Sequence, residues 1–506
     1  MHPEEISIGK IENYDMLVSA TEGIYGSLAD FMGEIHSFEP NIKGDDINLY
    51  DSNYDSYYGG FSSNGPKIIE DFEINWEKLY QTIGSANNVL SQFETSLSLS
   101  DDSRKILGEI YMIRAYCYFR LTRTYGQIPL ISDIDINYNV KKASYTDIYS
   151  FIEKDLKMAM ELLPVSNTSA RIPFVTPHRG VAKSILAEVY LSWAGYPCND
   201  SQKYTLAAKE AGETIDSADY FGFGLLDDFA YLWDSAHYYN QESEFALFFA
   251  DPNHSSGWQE NNGLYTGMKY FYLNSTEYGF NPNYVDLSFF CAEGKFYNSY
   301  PYSYRKEITF YSTIYVPGYV KDYLPKLDTG FITIKQVGGN DRIAYRKFYY
   351  HPSIVDRNRY YSYFPPGENF LFYGISRIYL FRYAQTLLTY AEAMARSGQL
   401  NSKAFECVNQ IRRRANQLEI YSPSAFDLQP GLSPEAFADS VVWERAWELC
   451  GEPEGRWFDL VRLEKVEDLP NLRYKKELGP PIHFTRSEYF FPIPAFDTTL
   501  NPNLGN

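Results

Sequence analysis

Cysteine is scarce in these 506 residues and odd in number: Cys117, Cys198, Cys291, Cys407 and Cys450. There is no CxxC pair and no even set, so neither a zinc ribbon nor a disulfide framework is indicated. Each thiol reads as a small apolar filler of a helix or strand. Long hydrophobic runs are missing too. The longest, such as Phe245 to Ala250, fall far short of the ~20 residues that cross a bilayer. Met1-His2-Pro3-Glu4-Glu5 lacks the basic and apolar regions of a signal peptide. Histidine is limited to seven scattered residues, and His178, near a helix start, reads as a cap or surface residue rather than a ligand. Positive charge is in deficit. With 45 Lys and Arg against 65 Asp and Glu the net charge is −20, which disfavours nucleic acid and anionic membrane as partners but says little about neutral ligands such as sugars.

Catalytic motifs are absent as well. No HExxH, GxSxG or Walker loop occurs, and Gly222-Phe-Gly224 lacks the third glycine of a dinucleotide fingerprint. Asp51-Ser-Asn53-Tyr-Asp55 and Asp133-Ile-Asp135-Ile-Asn137 begin like calcium loops. Neither has the Gly at the sixth position and the Glu at the twelfth that turn the loop and complete its oxygen cage. Both read as solvated loops. A glycosidase needs two carboxyl groups about 5–10 Å apart, and nothing nominates a pair. Arg412-Arg413-Arg414 reads as the wet face of a helix in an acidic protein. Asn167-Thr-Ser and Asn274-Ser-Thr are glycosylation sequons only in a eukaryotic secreted chain. No cofactor and no metal site is expected.

What is abundant is aromatic surface: 17% of residues, with 47 Tyr. Helical periodicity is strong in two separated blocks. Ile106, Ile110, Ile113, Cys117 and Leu121 recur at spacings of four and three, making one apolar face. Ala182, Leu186, Val189, Tyr190 and Trp193 repeat the pattern until Gly195 and Pro197 stop it, with Lys203 to Ile215 as the partner helix. In the second block Leu380, Tyr383, Leu387, Ala391 and Met394 form the face, Gly398 the stop and Ser402 to Ala415 the returning helix. The two pairs are alike: Leu186-Ala-Glu-Val-Tyr-Leu191 and Leu388-Thr-Tyr-Ala-Glu-Ala393 each lead through a turn to a second helix. That is tetratricopeptide (TPR) logic in a degenerate, non-tandem form. The fold class expected is mostly α, a scaffold of TPR-like helical pairs with a large loop-rich insertion. Residues 1–217 form the N-terminal helical part, 218–375 a loop-rich aromatic insertion and 376–506 the second pair, closing helices and an extended tail. In the insertion Gly, Pro, Asn and Tyr take over, with short candidate strands such as Phe331-Ile-Thr-Ile334.

Against this background several motifs become specific. Gly108-Glu-Ile-Tyr-Met-Ile-Arg-Ala-Tyr-Cys-Tyr-Phe119, followed by Tyr125-Gly-Gln-Ile-Pro-Leu130, resembles the early helix and turn of SusD/RagB proteins. Asp155 to Pro164, Arg179 to Trp193 and Arg382 to Ala393 are similar to three further helices of that family. Glu444-Arg-Ala-Trp-Glu-Leu449 and Glu454-Gly-Arg-Trp-Phe-Asp-Leu-Val-Arg462 are similar to its closing signature, and Tyr489-Phe-Phe-Pro-Ile-Pro494 and Asn501-Pro-Asn-Leu504 to its extended tail. The tail departs from pattern by stopping at Gly505-Asn506. The joint order of the motifs, from about residue 70 onward, carries the resemblance. Arg456, Asp459 and Arg462 stand three apart and are expected to form a local ion-pair ladder, with Arg445 and Glu448 similarly spaced. Trp457 reads as a core plug.

The resemblance implies a surface-exposed outer-membrane lipoprotein that captures glycans without catalysis and delivers them to a SusC-like TonB-dependent transporter. The signal peptide and lipidated Cys are expected to lie outside this sequence. Alternatives are a peptide-binding RagB-like uptake protein, a glycoside hydrolase or a TPR-like protein adaptor. Sugar capture needs flat apolar faces edged by polar groups, since a pyranose presents a C–H face to an aromatic ring and hydroxyls to its neighbours. Two loop clusters have that composition. The first carries Asn53, Tyr54, Asp55, Tyr57, Tyr58 and Phe61; the second carries Trp258, Asn261, Tyr265, Tyr270, Tyr272 and Tyr278. Trp258 with Tyr54, Tyr57 or Tyr58 is the expected stacking platform, and Asn53, Asp55 and Asn261 the expected hydroxyl partners.

Overall fold

The computed structural model describes residues 10–33, 39–49, 66–93, 100–132, 139–248, 290–310, 313–316, 330–333, 345, 347, 377–473 and 485–505. In chain order its principal elements are α1 (Tyr14–Gly33), β1 (Ile47–Leu49), α2 (Pro66–Ser91), α3 (Asp101–Tyr125), α4 (Tyr145–Leu162), α5 (Arg179–Ala194) and α6 (Gln202–Asp216). There follow β2 (Ser243–Phe248), β3 (Phe290–Ala292), α7 (Tyr304–Thr309), β4 (Thr313–Val316), β5 (Gly330–Thr333) and β6 (Arg377–Arg382). The C-terminal helices are α8 (Tyr383–Arg396), α9 (Ser402–Ala415), α10 (Pro434–Glu448) and α11 (Arg456–Arg462).

The architecture is mostly α-helical and built from TPR-like pairs. From α1 to α6 each helix packs on the next, and α8 then packs on α5, α6, α9 and α10. Local chemistry sets the helix ends. Ser100, Ser144, Asn401 and Ser433 are N-caps whose side-chain oxygens accept a backbone N–H three residues on. Pro434 follows its cap at the first helical position, where its missing N–H costs nothing. Gly126 and Gly398 end α3 and the turn after α8 with φ of +79° and +73°, a conformation that costs a side chain dearly. His178 caps α5 by accepting from the Gly180 N–H at 3.2 Å, and burial pushes its imidazole down to about 3.

The apolar stripes face inward as the periodicity requires. Ile106, Ile110, Ile113, Cys117 and Leu121 are all fully buried, as are Ala182, Leu186 and Val189. Trp457 is a core plug, fully buried. Three expectations are corrected. Leu380 lies not on the helix but in β6, whose six residues are all buried. Arg413 and Arg414 are not a wet face: they are 2% and 0% exposed. Arg413 pairs with Glu406 and Asp427, and Arg414 with Glu242 and Glu448. The closing signature is only partly a local ladder. Asp459 does pair with Arg462 at i+3, but Arg456 reaches Asp45 at 2.7 Å, and Arg445 and Glu448 both look elsewhere for partners.

Those partners tie the two helix pairs together. Glu188 on α5 and Glu392 on α8 occupy the Ala-Glu positions of the two similar segments. Arg445 donates to Glu188 Oε1 at 2.9 Å, and Arg462 donates to both oxygens of Glu392 at 2.7 Å. Asp459 then accepts from both arginines, at 3.1 Å from Arg445 Nε and 2.8 Å from Arg462 Nε. Burial works to raise the Asp459 and Glu392 carboxyls, but the adjacent guanidiniums outweigh it and hold both well below the usual carboxylate range.

Candidate functional site

The twelve residues singled out for ligand contact, Asn53 to Phe61 and Trp258 to Tyr278, lie outside the described residues, as do both calcium-loop-like runs. What is described is the frame from which those segments leave. β1 and β3 pair antiparallel, with Leu49 opposite Phe290. Residues 50–65 therefore follow, and residues 249–289 precede, strand ends that face each other at the ~5 Å spacing of an antiparallel ladder. β2 and β6 also pair antiparallel, with Phe248 opposite Arg377. The stretch 249–289 thus follows β2 of one ladder and precedes β3 of the other, and residue 50 follows β1, the partner of β3.

This frame is fixed by buried charge. On β6, Arg382 donates to Glu452 from Nε at 2.8 Å and from Nη2 at 2.9 Å, and to Glu242 Oε1 at 2.8 Å and Glu448 Oε1 at 3.0 Å. Glu448 also accepts from Arg305 on α7 and from Arg414 on α9, each at 2.7 Å. Lys347 donates to Glu452 at 2.7 Å. Burial alone would raise the Glu448 carboxyl, but Arg414, Arg382 and Arg305 dominate and hold it far below the usual range. A carboxylate this encircled is fixed in charge and place, a poor candidate for a proton-transfer group. On β1, the Arg473 guanidinium donates to the Ile47 carbonyl at 2.9 Å, and Asp46 accepts the Gly451 N–H at 3.0 Å. Burial, then the adjacent Asp45, pushes the Asp46 carboxyl up to about 6.

Glu244, on β2, is different. It accepts from Ser184 at 2.9 Å and from Thr386 at 2.9 and 2.8 Å, with no cation in contact among the described residues. Burial pushes its carboxyl up to about 8. It joins α5 to α8 and is buried, 5% exposed. Among the described residues no group of three or more His, Cys, Asp or Glu is placed to hold a metal ion, and no helix is long and apolar enough to cross a membrane.

Sequence reasoning missed one exposed aromatic group in the frame. Tyr231 stacks on His237 with ring centroids 4.0 Å apart and planes 15° from parallel. Tyr239, 48% exposed, lies beside Phe248 at 5.4 Å. The signal available was the Tyr238-Tyr239 doublet just before β2, preceded by Asp228 and Asp234, which cap the two short 3₁₀ turns that carry the stack.

Residues 21–191 match a family model described as starch-binding associating with outer membrane, and residues 245–506 match the one described as the SusD family. "SusD-like protein P2" of Formosa agariphila is 26% identical, over 96% of this chain and 91% of that one. Among crystal structures, a SusD homolog from Bacteroides thetaiotaomicron superposes with a TM-score of 0.76 at 20% identity, covering 99% of this chain and 98% of that one. A laminarin-binding SusD-like protein superposes with a TM-score of 0.69 at 22% identity, covering 97% and 98%. With one model spanning more than half its length, the chain belongs to the SusD family.

Proposed function

We propose that this protein captures extracellular glycans at the cell surface, without cleaving them, and hands them to a SusC-like TonB-dependent outer-membrane transporter. The observation that carries the reading is the shared foot of the two aromatic segments, where Leu49 stands opposite Phe290. Residues 50–65 and 249–289 hold the composition a pyranose requires, and the one follows β1 and the other precedes β3 in sequence, the two strands that pair at Leu49 and Phe290. Trp258 with Tyr54, Tyr57 or Tyr58 forms the stacking platform, and Asn53, Asp55 and Asn261 engage hydroxyls. The 218–375 stretch is the ligand face, and the helical parts on either side are its support. Family membership supports the glycan class, as does the likeness to a protein that binds laminarin. The protein sits on the outer membrane through a lipidated Cys rather than through a spanning helix.

The test is calorimetry against a panel of long neutral and acidic polysaccharides, followed by chain-length analysis of the recovered ligand. Binding with unchanged chain length is expected, and for a neutral glycan it should be nearly insensitive to salt. Shortened chains would identify an enzyme. Binding only to peptides, with strong salt dependence, would replace the glycan reading with peptide uptake.

A further inference from the structure

Resting on the glycan reading, we infer that the Tyr231–His237 stack is a separate sugar-stacking subsite at the foot of the insertion, taking one pyranose unit of a neutral glycan.

The stack is built, not incidental. Asp228 Oδ1 accepts the Ala230 N–H at 2.8 Å, and Asp234 Oδ1 accepts the Ala236 N–H at 2.9 Å, so each short turn is closed by its own aspartate. The second oxygen of Asp234 lies 3.3 Å from His237 Nδ1 and orients the imidazole. Beneath them Arg377, 1% exposed, gathers the backbone of residues 232–238. It donates to the His237 carbonyl at 2.7 Å and also to the carbonyls of Leu232 and Tyr238. Asn240 adds a second bond to the His237 carbonyl at 3.0 Å. The Tyr231 ring is therefore held in place before any ligand arrives, so little side-chain freedom is left to lose on binding.

Its surroundings suit a sugar. Tyr231 is 39% exposed and the His237 side chain 37%, so the stacked pair reaches solvent, each ring covering one face of the other. An aromatic face takes the C–H side of a pyranose, and His237 Nε2 supplies a polar atom for a hydroxyl. Tyr239 extends the apolar area toward Phe248, where residues 249–289 begin. The subsite therefore lies by the strand end from which residues 249–289 follow in sequence. Nucleic acid, the other polymer that stacks on such rings, is disfavoured by the net charge of −20.

The experiment uses the full chain and affinity electrophoresis, then calorimetry, against soluble β-glucan, xyloglucan, α-glucan, mannan and xylan. Wild type, Tyr231→Ala, Tyr231→Phe, His237→Ala and Trp258→Ala are compared. The expected result is about a tenfold loss of affinity for the bound polysaccharide in Tyr231→Ala. His237→Ala should lose less, and Tyr231→Phe, which keeps the ring, should retain wild-type affinity and so exclude a folding defect. If Trp258→Ala weakens binding while Tyr231→Ala does not, the subsite is overturned and the proposed function stands. If the wild type binds no polysaccharide of the panel, both fall together.

Discussion

Two regions of this molecule solve opposite problems. The closing helices α10 and α11 put charge inside: Arg445, Glu448, Asp459 and Arg462 are almost wholly buried and fully engaged. The edge of the frame around Tyr231, His237 and Tyr239 puts rings outside. A buried ion network adds little net stability over an apolar core, but it penalises any arrangement in which a member loses its partner. An exposed ring adds nothing to folding and gains only when a ligand covers it. The first region therefore specifies a single fold, and the second leaves a surface free for function.

The comparison can be broken most directly at Glu448. Glu448→Gln leaves Arg305, Arg382 and Arg414 short of their shared anion, so the expected loss is about 3–5 kcal/mol in denaturant unfolding. Glycan affinity of the protein still folded at low temperature should not change. A smaller disturbance is expected at Gly195, after α5, where a Cβ would sit 2.4 Å from the Arg462 carbonyl oxygen. Gly195→Ala should cost about 1–3 kcal/mol by forcing the ends of α5 and α11 apart, read as a drop in melting temperature.

Glu244 offers a pH-dependent contrast. Its carboxyl titrates near 8 in the fold against an ordinary value near 4.5, so the folded state holds the extra proton between those values. Stability from this group is then complete below about pH 4.5, falls as pH rises through the window, and levels above about 8. Glu244→Gln keeps a neutral partner for Ser184 and Thr386 and should flatten that fall, gaining on the order of 3–5 kcal/mol at pH 8.5 and almost nothing at pH 4.5. Glu448, Glu392 and Asp459 carry the opposite sign. Their depressed values give stability that is present at neutral pH and is lost as pH falls below about 4. The smallest effect on folding is expected from Trp258→Ala combined with Tyr54→Ala, within about 0.5 kcal/mol, although glycan binding should fall sharply. A large stability loss there would make those rings packing residues instead.

Much of the scaffold was legible because it is written locally. The apolar stripe of Tyr383, Leu387 and Ala391 and the stop at Gly398 specify α8 and the turn to α9 with no knowledge of their neighbours. Leu380 was misplaced because β6 is buried throughout, and a strand without an exposed face lacks the alternation that would distinguish it from a helix. The burial of Arg414 was not legible at all, since its acid partners are Glu448, 34 residues away, and Glu242, 172 away. The candidate site divides the same way. Aromatic composition marks the clusters from Asn53 to Phe61 and from Trp258 to Tyr278, but that the strands flanking them in sequence are paired depends on Leu49 meeting Phe290. That pairing has no trace in either segment. The Tyr231–His237 stack was hidden because its rings lie six positions apart in sequence, with two capped turns needed to bring them face to face.

The paired stems also bear on how such a protein could diversify. A segment that begins and ends on fixed antiparallel strands can change length and sequence while its two ends keep their places, and long insertions between fixed ends add little closure entropy. Residues 249–289 satisfy that condition at Phe248 and Phe290, each locked to a partner strand. New cargo would then require new loops and no new core. Exchanging this one segment between relatives is a direct way to move ligand preference from one chain to another.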